Sequence, residues 1–275
     1  MKNPLFAILF CLLFVLKFNS QSTASQQVTK FTINSPQLST DKQIWVYLPK
    51  SYQNSGKRYP VLYMHDGQNL FDASTSYVGE WKIDEYLDTL TSNESIIIGI
   101  EHGNEKRINE LTPYKNETYG GGQGDAYLDF IVKTLKPYVD EHYSTLPDKE
   151  HTLIAGSSIG GLISLYALIK YPETFSKGGL FSTSIWFNAE DMFQLVKEST
   201  IDPNQKFFFL VGSEEGSTAE DAAEMVSNQH KMTRLLLEKG VNKENVMDKV
   251  IPGGKHNETL WSTNFPVVYQ WLLSN

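Results

Sequence analysis

Apolar positions in this chain fall into short continuous runs separated by stretches with a helical stripe. Val28–Ile33 and Gln43–Leu48 are β-like, and a Ser/Pro/Asp segment divides them. Pro60–His65 is a further strand, followed by a helix around Trp81–Leu90. Ser95–Glu101 contains Ile96, Ile97 and Ile98 in sequence, the pattern of a strand buried on both faces. Over Asp125–Asp140, Leu128, Ile131, Val132, Leu135 and Val139 recur at helical spacing. Downstream the alternation repeats: strand Thr152–Ala155, helix Gly160–Lys170 ending before Pro172, then strand Gly178–Ser182. Strand Phe207–Val211, helix Ser217–Lys239, strand Val246–Ile251 and helix Glu258–Leu273 complete the chain. Strands alternating with helices of this length predict an α/β fold, a mostly parallel central sheet with helices on both faces. No repeat or low-complexity linker interrupts residues 28–275, which predicts one domain.

The first residues follow a different pattern. Lys2 precedes an apolar run from Leu5 to Leu16, and a polar stretch from Asn19 to Gln27 follows. This is the form of a secretory signal peptide, assigned to residues 1–22, with cleavage between Ser20 and Ala24, where Ser22 and Ala24 supply small residues. The run falls short of the roughly 20 apolar residues a membrane span needs. The expected location is therefore secreted or periplasmic. The single cysteine, Cys11, lies inside that run. A mature chain without cysteine has no disulfide, thiol nucleophile or cysteine-ligated zinc. The net charge of −8 is spread over interspersed signs, with no Lys/Arg cluster to follow a phosphate backbone, so nucleic acid is not an expected partner.

Ligands of parallel sheets sit at the carboxyl ends of the strands, which restricts the search for chemistry. Directly after Thr152–Ala155 comes Gly156-Ser157-Ser158-Ile159-Gly160-Gly161, matching G-x-S-x-G with Ser158 at its centre. A sharp strand-to-helix turn needs small flanking residues, and the helix start can offer a backbone N–H to a developing oxyanion. In such folds the triad runs serine, acid, histidine. Of the two histidines beyond Ser158, His230 belongs to a long helix, where a solvated surface position is expected. His256 stands in a glycine-rich loop after the last strand and is the candidate base. Strand Phe207–Val211 leads into Gly212-Ser213-Glu214-Glu215-Gly216, and either glutamate can supply the acid.

Three stretches, Tyr63 to Phe71 (with His65-Asp66-Gly67-Gln68), Gly156 to Gly161 and Gly253-Gly254-Lys255-His256, resemble the esterase D, feruloyl esterase and enterochelin esterase-like family of the α/β-hydrolase superfamily. Leu135 to Asp140 and Phe181 to Trp186 also look like its members. The resemblance spans residues 28–275 and implies an α/β-hydrolase fold and a serine carboxylic ester hydrolase using Ser158 and His256. It favours Glu215 over Glu214 as the acid. It maps the oxyanion donors to the backbone N–H groups of Gln68 and Ile159. It also suggests Asp66, Trp81, Arg107 and Trp186 around the pocket, with Arg107 and Glu110 paired. The implied chemistry requires no metal or organic cofactor. The expected substrate is a small-molecule or carbohydrate ester, of acetyl or feruloyl type, or a siderophore ester. Acyl transfer to a sugar or lipid acceptor, and a non-catalytic binding module, are the competing readings. An occupied residue at each triad position disfavours the last.

Overall fold

In the computed structural model, which describes residues 22–274, eight strands form one twisted sheet. The apolar run Leu5–Leu16, read above as an export leader, lies outside the described residues. In chain order the strands are β1 (Val28–Ser35), β2 (Thr40–Tyr47), β3 (Val61–His65), β4 (Ile96–Ile100), β5 (Thr152–Ser157), β6 (Lys177–Phe181), β7 (Lys206–Gly212) and β8 (Val246–Ile251). Their spatial order is β1-β2-β4-β3-β5-β6-β7-β8. β2 is antiparallel to both β1 and β4, while β4, β3, β5, β6, β7 and β8 run parallel.

Apart from a single turn at Tyr52–Ser55, the α-helices of the described residues are α1 (Ile83–Leu87), α2 (Arg107–Leu111), α3 (residues 124–142, with a wider π turn at Ile131–Leu135), α4 (Ile159–Lys170), α5 (Ala189–Glu198), α6 (Ala219–Glu238) and α7 (Glu258–Leu273). Alternate residues of one strand serve opposite faces. Val61 and Tyr63 of β3 pack with Tyr127, Leu165 and Met232 on the face covered by α3, α4 and α6. Leu62 and Met64 pack with Ile83, Leu260 and Val268 on the face covered by α1 and α7. Burial of both faces is why the central strands carry no polar alternation.

One predicted helix differs in extent. The helix expected around Trp81–Leu90 is only Ile83–Leu87, because the Trp81 and Ile83 amides donate to Asn69 O and Leu70 O in the preceding loop. The chain there is held to β3's turn before it can coil. Helix α5 was not anticipated from the apolar pattern, nor was a small hairpin pairing Lys115–Asn116 with Gly120–Gly121. Asn116 Nδ2 donates to Phe187 O at 2.8 Å, fastening that hairpin over the loop that follows β6.

The topology places the functional residues. From β3 the chain moves to β4 on one side, and from β5 to β6 on the other. The loops after β3 and β5 therefore diverge between adjacent strands, the switch point where open α/β sheets bind ligands.

Candidate active site

Ser158 stands between β5 and α4 with φ 59° and ψ −126°, a conformation that costs a non-glycine residue about 1–3 kcal/mol. The surrounding structure enforces it. The Ser158 amide donates to Phe181 O at 2.9 Å, and Ser158 O accepts from the amides of Leu162 and Ser184. A methyl group on Gly156 would lie 2.7 Å from the backbone of Gly160, so only glycine allows the turn to close this tightly. Ile159 opens α4, and its N–H has no acceptor within the helix. Gln68 lies in a short 3-10 turn, Gly67–Asn69, at the end of the neighbouring β3.

His256 and Glu215 meet across two loops. Gly212 and Gly254 touch so closely that a Cβ on Gly212 would fall 2.2 Å from Gly254 O, and Glu214 N–H donates to that same carbonyl. This closure brings His256 Nδ1 to 2.8 Å from Glu215 Oε2. Glu215 is 0% exposed, whereas its neighbour Glu214 is exposed. A carboxylate buried without donors would be costly, but this one has three. Its Oε1 accepts from Ser182 Oγ and from Gly212 N–H, both at 2.6 Å. Ser182 in turn accepts from Trp261 Nε1 at 2.7 Å. Because a carboxylate only accepts, His256 Nδ1 carries the shared proton, and in the neutral imidazole the lone pair is then on Nε2. The Trp261 ring meets the imidazole edge-on at 5.3 Å.

Ser158 and His256 border two clefts. One, of about 530 Å³, is also lined by Tyr119, Ser184, Trp186, Asp221, Glu224 and Met225. The other, of about 540 Å³, includes Asp66, His102, Arg107 and Trp261. The Ser158 hydroxyl is hydrogen-bonded to Ser184 Oγ at 3.2 Å rather than to His256. In unliganded enzymes this serine–histidine contact commonly tightens only when substrate binds.

The pocket residues expected from the sequence separate into two groups. Trp186 is 40% exposed and meets Tyr119, 54% exposed, edge-on at 5.9 Å, so both present ring surface to the first cleft. Trp81 is instead a core residue. It is 3% exposed and packs on Trp261 and Phe181 behind His256. The expected Arg107–Glu110 pair is not formed. Arg107 Nε and Nη2 each donate to Asp66 at 2.7 Å, and Glu110 pairs with buried Lys42 at 2.7 Å. Burial pushes the Asp66 carboxyl up, yet the guanidinium prevails and holds it below the usual aspartate value. His230 lies on α6, as expected, with Nδ1 2.7 Å from Asp248. Tyr119, Ser182, Ser184 and Trp261 were not singled out by sequence. Ser182 and Ser184 lie in a stretch whose resemblance was legible, but their contacts were not.

His65, at the end of β3, is buried, with Nδ1 2.8 Å from Tyr127 Oη. Burial lowers its pKa from 6.5 to about 4. Between those values the unfolded chain binds a proton that the folded chain excludes. Stability therefore falls as pH drops from about 6.5 to about 4, by about 3 kcal/mol from this residue. The His65 Cε1 proton should titrate near pH 4 by NMR, with the urea midpoint declining over the same interval. A His65 midpoint near 6.5 would refute this.

A model of the family described as Putative esterase matches residues 35–272. The chain belongs to that family. It is an α/β-hydrolase-type carboxylic ester hydrolase. The uncharacterized protein YbbA of Bacillus subtilis is 27% identical over 240 residues, covering 84% of this chain and 92% of that protein. The endo-1,4-beta-xylanase/feruloyl esterase of Xylanibacter ruminicola is 27% identical over 173 residues, 60% of this chain and 22% of the larger relative. The crystal structure of the BES protein from Bacillus cereus superposes with a TM-score of 0.71 at 19% identity, covering 92% of this chain and 97% of that one.

Proposed function

We propose that the esterase acts through Ser158, His256 and Glu215 by way of an acyl-enzyme, and that it is an exported enzyme cleaving neutral acetyl- or feruloyl-type esters of carbohydrates. The observation that carries the triad assignment is the 2.8 Å contact between His256 Nδ1 and the fully buried Glu215, beside a serine held in a strained elbow. His256 Nε2 removes the Ser158 proton as the hydroxyl turns away from Ser184 and attacks the ester carbonyl. The Ile159 and Gln68 amides stabilise the oxyanion. His256 then protonates the departing alcohol and, in the second half-reaction, activates water.

The substrate class follows from the cleft. Tyr119 and Trp186 offer aromatic surface on which a sugar face or an aryl acyl group can stack, while Asp221 and Glu224 line the same cleft. Those carboxylates disfavour an anionic substrate. Arg107 in the second cleft is already matched by Asp66. The relative from Xylanibacter ruminicola, whose name includes feruloyl esterase activity, points the same way.

A panel of acetylated xylan, methyl ferulate, p-nitrophenyl acetate and a ferric tris-catecholate siderophore tests this. Acetylated xylan and methyl ferulate should each exceed the trianionic siderophore at least tenfold in kcat/KM. Free acid should appear in preference to transfer onto added sugar. Faster cleavage of the siderophore, or dominant transfer, would overturn the substrate assignment.

A further inference from the structure

Ser25 lies against a group of carboxylates far from Ser158. Its backbone N–H donates to Asp84 Oδ2 at 2.7 Å, and its hydroxyl donates to Asp88 Oδ2 at 2.8 Å. Asp84 is 0% exposed, and its second oxygen, Oδ1, has no hydrogen-bond partner. Carboxylate oxygens of Glu80, Asp84 and Glu85 lie within 4.8 Å of one another. Asp72 and Lys82 act on Glu80, and Lys50 pairs with Asp88 at 3.5 Å, while Asp72 accepts from Ser22 and Thr23. Burial pushes Asp84 up to about 7 and also raises Glu80. One neutral amide does not balance a buried carboxylate beside two others. The site calls for a cation.

The sequence can supply that cation. Ser22 and Ala24 occupy the −3 and −1 positions of a small-x-small cleavage signal whose next residue is Ser25. Ser22 and Thr23 are exposed, while Ala24 and Ser25 are half-buried. Hydrolysis of the Ala24–Ser25 peptide bond by an export-pathway endopeptidase adds one water. Ala24 leaves as a carboxylate, and Ser25 gains an α-amine that takes up a proton.

We infer that export processing cuts after Ala24, two residues beyond the leader boundary expected from the sequence, and that the new Ser25 α-ammonium docks on buried Asp84 as an ion pair anchoring α1. The inference rests on the export reading proposed above and not on the choice of substrate. The ammonium has three donors where the amide had one, enough to engage Oδ2 and reach Oδ1. Helix α1 follows directly on Trp81, which packs on Trp261 behind His256. The docked terminus thus anchors the helix beside the wall of the active site.

The test uses the full chain expressed with its leader in an exporting bacterial host. Intact mass and N-terminal sequencing of the exported protein should show Ser25 as the first residue. By competitive labelling with limiting acetic anhydride across pH, read by mass spectrometry, the terminal amine should titrate at least one unit above the usual value of about 8, returning to it in urea. Asp84→Asn should remove that elevation, and if this variant does not fold, the comparison of native with urea-unfolded protein decides alone. An exported chain starting elsewhere overturns this inference but not the export reading. A chain retaining Met1 in the cytoplasm overturns both. An ordinary amine pKa in the folded protein, or a melting temperature raised several degrees by calcium and lowered by chelator, refutes the ion pair and gives the carboxylates to a metal.

Discussion

Replacing Ser158 by alanine should reduce hydrolysis of p-nitrophenyl acetate by roughly 10⁴-fold or more, leaving only the residual rate that amide donors and binding can supply. The loss should fall on kcat, because the hydroxyl forms a bond only as the reaction proceeds. A fluorophosphonate probe should label the wild type and not the variant. Geometry adds a second signature. At φ 59° and ψ −126° a side chain is strained and glycine is not. Ser158→Gly should therefore be equally inactive yet about 1 kcal/mol more stable than Ser158→Ala, read from urea midpoints. Appreciable turnover in either variant would remove Ser158 from the mechanism. Equal stability of the two would show that the elbow stores no strain.

That serine was legible because its chemistry and its local fold share one stretch of chain. β5 is apolar because both its faces are covered, and the small residues after it are what a tight turn requires. His256 was legible for a similar reason, as a histidine in a glycine-rich loop after the last strand. Side-chain partners across long separations were not. Arg107 and Glu110 stand three apart on one short helix, and each is captured by a residue from a distant strand or loop. Asp66 holds the first from the loop after β3, and Lys42 holds the second from β2. Which ion pair forms depends on the approach of elements that a one-dimensional pattern does not encode. Trp81 shows the same limit, since an aromatic near the site serves equally as a wall or as the packing behind it. Tyr119 reaches the cleft on a hairpin too short to leave any periodicity.

The adjacent glutamates Glu214 and Glu215 allow a sharp test, because composition hardly separates them and burial does. Glu215→Gln keeps the shape of the side chain but replaces one acceptor oxygen with an NH₂ donor. Three donors converge on Glu215: Ser182 Oγ–H, Gly212 N–H and His256 Nδ1–H. If the NH₂ turns towards Gly212, it faces another N–H and leaves a buried donor unpaired, costing about 1–3 kcal/mol. If it turns towards His256, the imidazole must accept at Nδ1 and carry its proton on Nε2, the tautomer that cannot take the Ser158 proton. The second arrangement avoids the clash with the fixed backbone amide, so the charge lost and the wrong tautomer act together on kcat. Glu215→Gln should lower kcat by about 10²–10⁴-fold with KM little changed. Glu214→Gln, at an exposed position, should stay within about twofold of wild type, since surface substitutions away from buried contacts do little. Imidazole ¹⁵N shifts should report a protonated Nδ1 in the wild type and a protonated Nε2 in Glu215→Gln. Equal kcat losses in the two variants, or unchanged ¹⁵N shifts in Glu215→Gln, would mean that Glu215 does not orient His256.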